Sequence, residues 1–250
     1  MLHEPAPAAD ARVASLRRRL VAMSSPDRPG GASADGRLRS RAHGSLPAPA
    51  GMESIFPRGV VDRGSVLSIA GAGSVLLGVL AAATAADAHV AIVGMPALSM
   101  LRLVELGGVV DRIAVIPDPG PDPVRIAAVL LDGIDVVVLH LGGMAVPPTR
   151  ARAVTARVRA KDALLVVVDG SWPGTDLRLE SRVVGYRGVA SGHGRLRSIE
   201  IAVAVDDRSH RRTESRLSVE SLAGEERWRD CSPGASGDGQ SARALAEGVS

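Results

Sequence analysis

A glycine-rich turn carries the first candidate chemistry of the chain. Gly71, Gly73 and Gly78 lie in the stretch GAGSVLLG, directly after a short β-branched apolar run. Backbone amides in such a turn cradle phosphates when a loop of the form G-x-x-x-x-G-K-[ST] adds a lysine and a hydroxyl. Counted from Gly71, the three diagnostic positions hold Leu76, Leu77 and Gly78. The pattern therefore predicts a degenerate nucleotide loop.

Neither a shift of register nor a dinucleotide pattern restores a binding motif. Lys161 is the only lysine of the chain and lies far downstream of the turn. The dinucleotide pattern G-x-G-x-x-G fails as well, because Leu76 occupies the third glycine position. We expect the turn to bind nucleotide poorly and the protein to carry no cofactor.

Two titratable residues each follow a buried apolar run. His140 ends IDVVVLH and Asp169 follows LLVVV. Because the carboxyl ends of parallel strands meet at one edge of a sheet, the pair can line one crevice and exchange protons. The chain lacks a G-x-S-x-G nucleophile motif, and its histidines show no metal-ligand spacing. Polar capping of strands is favoured, with an α/β nucleotide-binding protein or hydrolase using Gly71, His140 and Asp169 as the alternative.

Short Val/Ile/Leu runs alternate with helical patterns between the turn and Asp169. The predicted strands are 66–69, 89–93, 112–116, 134–139 and 164–168, and the predicted helices are 97–106, 124–131 and 149–161. This alternation is typical of parallel strands covered on both faces. Residues 178–187 and 195–205 are strand-like without an intervening helix, which indicates antiparallel strands at a sheet edge. The fold class is a three-layer α/β core with a mainly parallel central sheet.

The uncharged run between Arg63 and Asp87 has a second interpretation. Its length is sufficient for a transmembrane helix. Gly71, Gly73 and Gly78, together with several hydroxyl residues, make it a poor apolar segment, however, and the strand-like part begins with a β-branched residue. We favour a buried strand, a turn and a helix.

Composition bounds the class of protein. The chain has 250 residues, 46% of them hydrophobic and only 2% aromatic, so one aliphatic core of ordinary domain size is expected. Cys231 is the single cysteine, which excludes an intramolecular disulfide and a cysteine-based zinc site. The first residues lack the basic and apolar regions of a secretory signal. These features predict a cytoplasmic protein.

The two ends differ from the core at 52–205. Residues 1–23 predict an amphipathic helix whose apolar positions are Val13, Leu16, Leu20 and Met23. A helix this short is marginal alone, so it docks either on its own core or on a partner or second copy. Residues 24–51 are rich in Pro, Gly and Ser and predict a flexible linker. Residues 206–250 are polar with mixed charge, which predicts a disordered tail.

Arginines in the two strand-like segments suggest a weak DNA contact. The candidates are Arg178, Arg182, Arg187, Arg195 and Arg197. With only Trp172 and Tyr186 nearby for base stacking, such a contact would be mainly electrostatic and sensitive to salt.

The order of elements over residues 46–205 resembles the core of RecA-type recombinases. The most specific part runs from VIPDPG to IDVVVL, where the family has a strand, a Pro-Asp-x-Gly turn, a helix and another strand. The chain departs from that family at the catalytic positions: Leu77 and Gly78 replace the loop lysine and threonine, and His140 replaces the magnesium-site aspartate. Residues 94–96 offer no counterpart of the catalytic glutamate. Together with WPGTDLRL and GHGRLR, these departures resemble the actinobacterial ImuA-prime group of mutasome accessory proteins.

This resemblance implies function by contact instead of catalysis. It implies a pseudo-ATPase scaffold in DNA-damage-induced translesion synthesis, part of the SOS response. The implied partners are an inactive Y-family polymerase homologue and an error-prone replicative-type polymerase. The N-terminal helix and the C-terminal segment would be the docking elements, homo-oligomerisation stays open, and no membrane contact is expected.

Overall fold

The computed structural model describes residues 44–190, 193–209, 211–222 and 225–232. The predicted N-terminal helix with Val13, Leu16, Leu20 and Met23, the linker up to residue 43 and the segment 233–250 lie outside the described residues. No helix within the described ranges is long and apolar enough to cross a membrane.

Eleven strands and four α-helices make up the described chain. The strands are β1 (Leu46–Pro47), β2 (Val60–Val61), β3 (Ser65–Gly71), β4 (Val90–Val93), β5 (Ile113–Ile116), β6 (Val136–His140), β7 (Leu164–Val168), β8 (Leu177–Ala190), β9 (His193–Asp207), β10 (Arg212–Leu222) and β11 (Glu225–Asp230). The helices are α1 (Gly73–Ala85), α2 (Met100–Glu105), α3 (Pro123–Leu130) and α4 (Pro148–Ala160). Short 3-10 turns occur at Glu53–Ile55, Pro57–Gly59 and Val110–Arg112.

Nine strands form one sheet in the order β11-β10-β9-β8-β3-β7-β6-β4-β5. The six strands from β8 to β5 are parallel to their neighbours, whereas β9, β10 and β11 are antiparallel. The predicted α/β class with antiparallel strands towards the C-terminus is confirmed. One detail differs, because β8 lies inside the sheet and pairs in parallel with β3.

Helices cover both faces of the parallel strands. On one face α1 packs with Leu67, Ile92 and Val138 of the sheet, and on the other α3 and α4 pack against Val137 and Leu165. Side chains on successive strand positions point to opposite faces, so both faces of these strands must be apolar. This explains the unbroken Val/Ile/Leu runs of the sequence and gives the three-layer core.

The predicted disordered tail is wrong for residues 212–222 and 225–230, which form β10 and β11. Apolar residues alternate with charged ones here: Leu217 and Val219 are buried, while Arg216 is exposed. When a sheet is covered on a single face, each strand needs an apolar residue only at every second position. The mean hydropathy of the segment then falls to that of a solvated chain. The predicted core boundary at residue 205 is therefore too early.

The linker prediction also fails at its C-terminal end. Leu46 is buried, and β1 pairs with β2 through Leu46 opposite Val61. Met52 and Ile55 follow as core residues next to α1. The chain thus joins the core before residue 52.

Candidate functional site

The Gly71 turn is a tight connection between β3 and α1. Gly71 ends β3 with φ +92°, Ala72 is the residue before the helix, and Gly73 already belongs to α1. A phosphate loop needs several consecutive free amides arching over the ligand. A single residue between strand and helix cannot form that arch.

Ser181 of β8 closes this turn. The Ala72 amide donates to Ser181 Oγ at 2.9 Å and to the Ser181 carbonyl at 3.2 Å. The Ser181 hydroxyl in turn contacts the Ala70 carbonyl at 2.9 Å. A Cβ on Gly71 would lie 1.7 Å from the Ser181 carbonyl oxygen, so β8 and the turn are in direct backbone contact. The Ala72 amide is therefore bonded within the protein and is not free for a phosphate.

The last three positions of the phosphate-loop pattern, Leu76, Leu77 and Gly78, are buried in the core. Leu76 and Leu77 are 1% and 5% exposed. Gly78 faces Met52 and Trp228: a Cβ there would lie 3.0 Å from the methionine sulfur and 3.1 Å from the indole nitrogen. Gly78 therefore makes room for a tryptophan from β11, where a hydroxyl side chain would be crowded.

Ser181 and Trp228 are the residues that sequence reasoning missed. Ser181 is 109 residues from Ala72 along the chain, and its role depends on β8 pairing with β3. Trp228 lies in the segment that the sequence predicts to be disordered. The spacing of Leu217 and Val219 is the only sequence signal for a strand here, and Trp228 reaches the core because it pairs with Val219.

The structure brings His140 and Asp169 together, as the sequence predicts. His140 ends β6, Asp169 follows β7, and the two strands pair in parallel. Their Nε2 and Oδ2 atoms lie 3.5 Å apart, with side chains 31% and 69% exposed. Asp169 adopts φ +49°, and its carbonyl accepts from the Gly143 amide at 2.7 Å. The pair is an open, solvated contact at the carboxyl edge of the sheet.

The predicted arginine group divides between two surfaces. Arg178, Arg182 and Arg187 lie on the outer face of the antiparallel strands, whereas the alternation along β9 places the exposed Arg197 on the opposite face from Ser198. The side chain of Arg195 lies outside the described set. Arg187 pairs with Glu200. Acidic residues thus interleave with the outer-face arginines.

One pair of outer-face arginines has no acidic neighbour in its register. Arg182 and Arg216 lie opposite Ala202 from either side, so two cations flank a small residue. Neither arginine has an ion-pair partner within the described ranges. In the neighbouring register Glu180 and Glu214 flank Ala204 in the same way, and Arg212 pairs with Asp206.

The opposite edge of the sheet holds a charge cluster around Asp135. Asp135 accepts from Arg63 Nη1 at 3.0 Å and from the His89 amide at 2.9 Å. Burial alone would raise the pKa of this carboxyl, but the hydrogen bonds from His89 and Arg63 outweigh burial and hold the pKa well below its usual range. The cluster ties the starts of three strands together. It lies beside an open cleft of about 560 Å³ that includes Arg63 and Asp176.

A second ion pair fastens β11 to α2. Arg102 Nη2 lies 2.7 Å from Glu226 Oε1, and the glutamate side chain is 8% exposed. Burial is the main cause that raises the pKa of Glu226; Arg102 partly offsets it, and Glu105 adds to it. Arg102 Nε has no acceptor within the described residues. This pair holds β11 over the helices at a cost in desolvation.

Comparison with solved structures supports the RecA-like architecture. A crystal structure of the RadB recombinase matches 69% of this chain and 94% of its own chain, with a TM-score of 0.50 and 10% sequence identity. At this identity the likeness concerns the fold alone. The mainly parallel sheet with antiparallel strands at its C-terminal side is thus a RecA-like fold.

Comparison with sequences identifies the family. The sequence model described as MT3502 N-terminal domain matches residues 54–174, which span the chain from the turn before β2 to the loop after β7. The uncharacterized protein Rv3395c of Mycobacterium tuberculosis (strain ATCC 25618 / H37Rv) is 44% identical over 196 residues, covering 76% of this chain and 88% of the relative. The protein therefore belongs to the family of Rv3395c.

Proposed function

We propose that the protein is a non-catalytic RecA-like accessory protein that binds polymerase subunits in DNA-damage-induced translesion synthesis. The observation that carries this proposal is the closed turn at Gly71, where Ser181 takes the Ala72 amide and the following helix turns Leu76 and Leu77 into the core. A RecA-like protein without an open phosphate loop acts through its surfaces. The sequence resemblance to ImuA-prime accessory proteins supplies the pathway and the partners.

Loss of nucleotide binding is the first consequence to test. We expect saturating Mg-ATP to leave the melting temperature unchanged within error. A ligand at one hundred times its Kd stabilises a protein by about 2.7 kcal/mol, which corresponds to several degrees for a domain of this size. A saturable shift of several degrees would contradict the pseudo-ATPase proposal.

Partner capture tests the other half of the proposal. The tagged full-length protein is recovered from DNA-damaged cells of its source, and bound proteins are identified by mass spectrometry. We expect an inactive Y-family polymerase homologue and an error-prone replicative-type polymerase. Removal of residues 1–25 or 233–250 then locates the contact, while residues 206–232 stay in place because β10 and β11 belong to the sheet. A folded, abundant bait that recovers neither polymerase opposes the proposal.

The contact between His140 and Asp169 favours one alternative function. A nucleotide-binding protein or hydrolase would use this pair for proton transfer at the carboxyl edge of the sheet. It predicts saturable binding or turnover of a nucleotide or ester that His140→Ala abolishes. Because His140 is 31% exposed at its side chain and its partner is 69% exposed, the substitution should leave stability nearly unchanged.

The arginines at Ala202 favour a direct DNA contact as an accessory property. Arg182 and Arg216 lie on the two strands beside β9, about 10 Å apart at the backbone, and present two cations to the phosphates of a single strand. Binding should fall steeply as salt rises, and the double change Arg182→Gln/Arg216→Gln should weaken it more than Arg187→Gln, since Arg187 is already paired with Glu200. Binding that survives high salt argues against this contact.

A further inference from the structure

The sheet ends at β5 in an apolar surface that the described residues leave open. Leu101 and Val104 of α2 are 69% and 50% exposed, Val110 is 40% exposed, and Val115 of β5 is 41% exposed. We call these four residues the α2–β5 surface. Scattered exposed apolar residues are ordinary, but these four fall within sixteen residues of one another on adjoining elements.

Helix α2 and the Val115 side chain lie on the same side of the sheet. Leu103 of α2 and Ile113 of β5 belong to the core beside α1, and Val115 points to the same face as Ile113 because strand side chains alternate. Among the described residues β5 pairs only with β4, so the outer backbone groups of β5 form an open edge. Proteins cover such edges, often with a helix, because an open apolar edge promotes unwanted pairing.

The rim of this surface carries unneutralised negative charge. The two arginines nearest to it are already paired, Arg102 with Glu226 and Arg112 with Asp87. Glu105 and Asp111 have no salt-bridge partner within the described ranges. An occupant with an apolar stripe and basic flanks would fit the surface best.

The N-terminal segment has this chemistry. Residues 8–23 predict a helix with an apolar stripe at Val13, Leu16, Leu20 and Met23. Four arginines against one aspartate flank that stripe. A helix of this length is marginal in water and gains stability by burying its apolar side.

The linker length favours docking within one chain. Gly44, where the described chain begins, shares the lining of one cleft with Ser65 at the start of β3. Four strand spacings separate β3 from β5, a distance of about 19 Å. The intervening residues 24–43 form a Gly/Pro/Ser-rich linker with a root-mean-square span of about 25 Å. The span matches the distance, so the effective concentration of the segment at its own surface is high.

We propose that residues 8–23 dock as a helix on the α2–β5 surface of the same chain and cover the edge of the sheet. The proposal does not depend on the polymerase partners, because it concerns the purified protein alone. A partner that takes the N-terminal segment would uncover this surface.

Hydrogen exchange of the full chain tests the docking. Peptides within 100–116 are compared in the native protein and in Leu16→Asp/Leu20→Asp, which places charge in the stripe. The matched control is Ala11→Asp/Ala22→Asp, which adds the same charge on the opposite side of the helix. If the segment is docked nine-tenths of the time, exchange in the stripe variant rises roughly tenfold and stays near native in the control. Equal exchange in native protein and stripe variant would overturn the proposal.

Cross-linking tests whether the contact lies within one chain. In a Cys231→Ser background, Leu20→Cys/Val104→Cys is treated with a short bis-maleimide, and Ala22→Cys/Val104→Cys serves as control. We expect a cross-linked monomer whose yield does not change with protein concentration, and little product in the control. A cross-linked dimer that grows with concentration would refute docking in cis and indicate exchange between copies. Equal yields from the two cysteine pairs would also refute docking through the apolar side of the helix.

Discussion

The parallel and antiparallel halves of the sheet are stabilised in different ways. Strands β4, β6 and β7 have helices on both faces, and their central residues are almost completely buried. Strands β9 to β11 have one apolar face against the core and one charged face in solvent. The first half contains the Gly71 turn, which Ser181 of β8 closes, whereas the second half supplies Trp228, which packs against the helix after the turn. The turn and its helix are thus shaped by both halves.

Gly71 lies against the backbone of β8, the strand next to the antiparallel half, and a side chain at Gly71 should have the largest effect. Gly71→Val places a Cβ at 1.7 Å from the Ser181 carbonyl oxygen and requires φ +92°, which β-branched residues strongly disfavour. We expect a loss of at least about 4 kcal/mol, measured as failure to fold or by urea denaturation.

Gly73 provides the matched control for this change. A Cβ at Gly73 meets no atom within 4 Å, and Gly73 is the first residue of α1. Gly73→Ala should be neutral or stabilise the protein by up to about 1 kcal/mol, because alanine is the better helix former. Equal destabilisation by both changes would show that the close contact with β8 is not what constrains the turn.

The sequence predicts the parallel half well and the antiparallel half poorly for a physical reason. Strands buried on both faces leave continuous apolar runs such as 164–168, and these need no partner to be recognised. Strand β10 is buried on one face, and its charged alternate residues resemble a solvated tail. At the site, short segments of the sequence are enough to show that the phosphate-loop lysine and hydroxyl are absent. They are also enough to place His140 and Asp169 at one edge of the sheet. The closing bond from Ser181 depends on a pairing 109 residues away.

Replacing the two buried tryptophans tests how much packing contributes to the stability of each half. Trp172 is 2% exposed beside α4, and its Nε1 donates to Thr155 Oγ1 at 3.3 Å; Trp228 is 9% exposed, and its Nε1 has no acceptor within the described residues. Trp172→Ala should cost about 3–5 kcal/mol and unfold the whole domain, while Trp228→Ala should cost about 3 kcal/mol and raise hydrogen exchange mainly in 212–230.

Phenylalanine at the same two positions separates packing from hydrogen bonding. Trp172→Phe loses the bond to Thr155, whereas Trp228→Phe removes a buried donor that has no partner within the described ranges. We expect the second change to be better tolerated by about 1 kcal/mol. The reverse order in chemical denaturation would mean that the Trp228 indole is satisfied in solution.

Ser181→Ala tests the contact between β8 and the Gly71 turn with a small change. The Ala72 amide keeps the Ser181 carbonyl at 3.2 Å but loses the hydroxyl at 2.9 Å. We expect a loss of about 1–2 kcal/mol in urea denaturation with the fold retained. Ser181→Thr restores a hydroxyl at the same place and should recover part of the loss. If alanine and serine are equally stable, the hydroxyl does not hold the turn.

Acid titration should give the smallest effects and opposite signs in the two halves. The pKa of Asp135 is lowered in the folded protein, so its contribution is present above about pH 4 and is lost as the pH falls below the unfolded value. The pKa of Glu226 is raised, so its ionised form costs stability at neutral pH and this cost disappears on acidification.

Asp135→Asn should therefore lower stability by about 1 kcal/mol at pH 7 and by progressively less towards pH 3. Glu226→Gln should change stability by under about 1 kcal/mol at pH 7 and should flatten the gain on acidification, since a buried ion pair contributes little net energy. Urea denaturation from pH 3 to pH 7 measures both, and the same sign of pH dependence for the two carboxyls would contradict the assigned difference between the Asp135 cluster and the β11 contact.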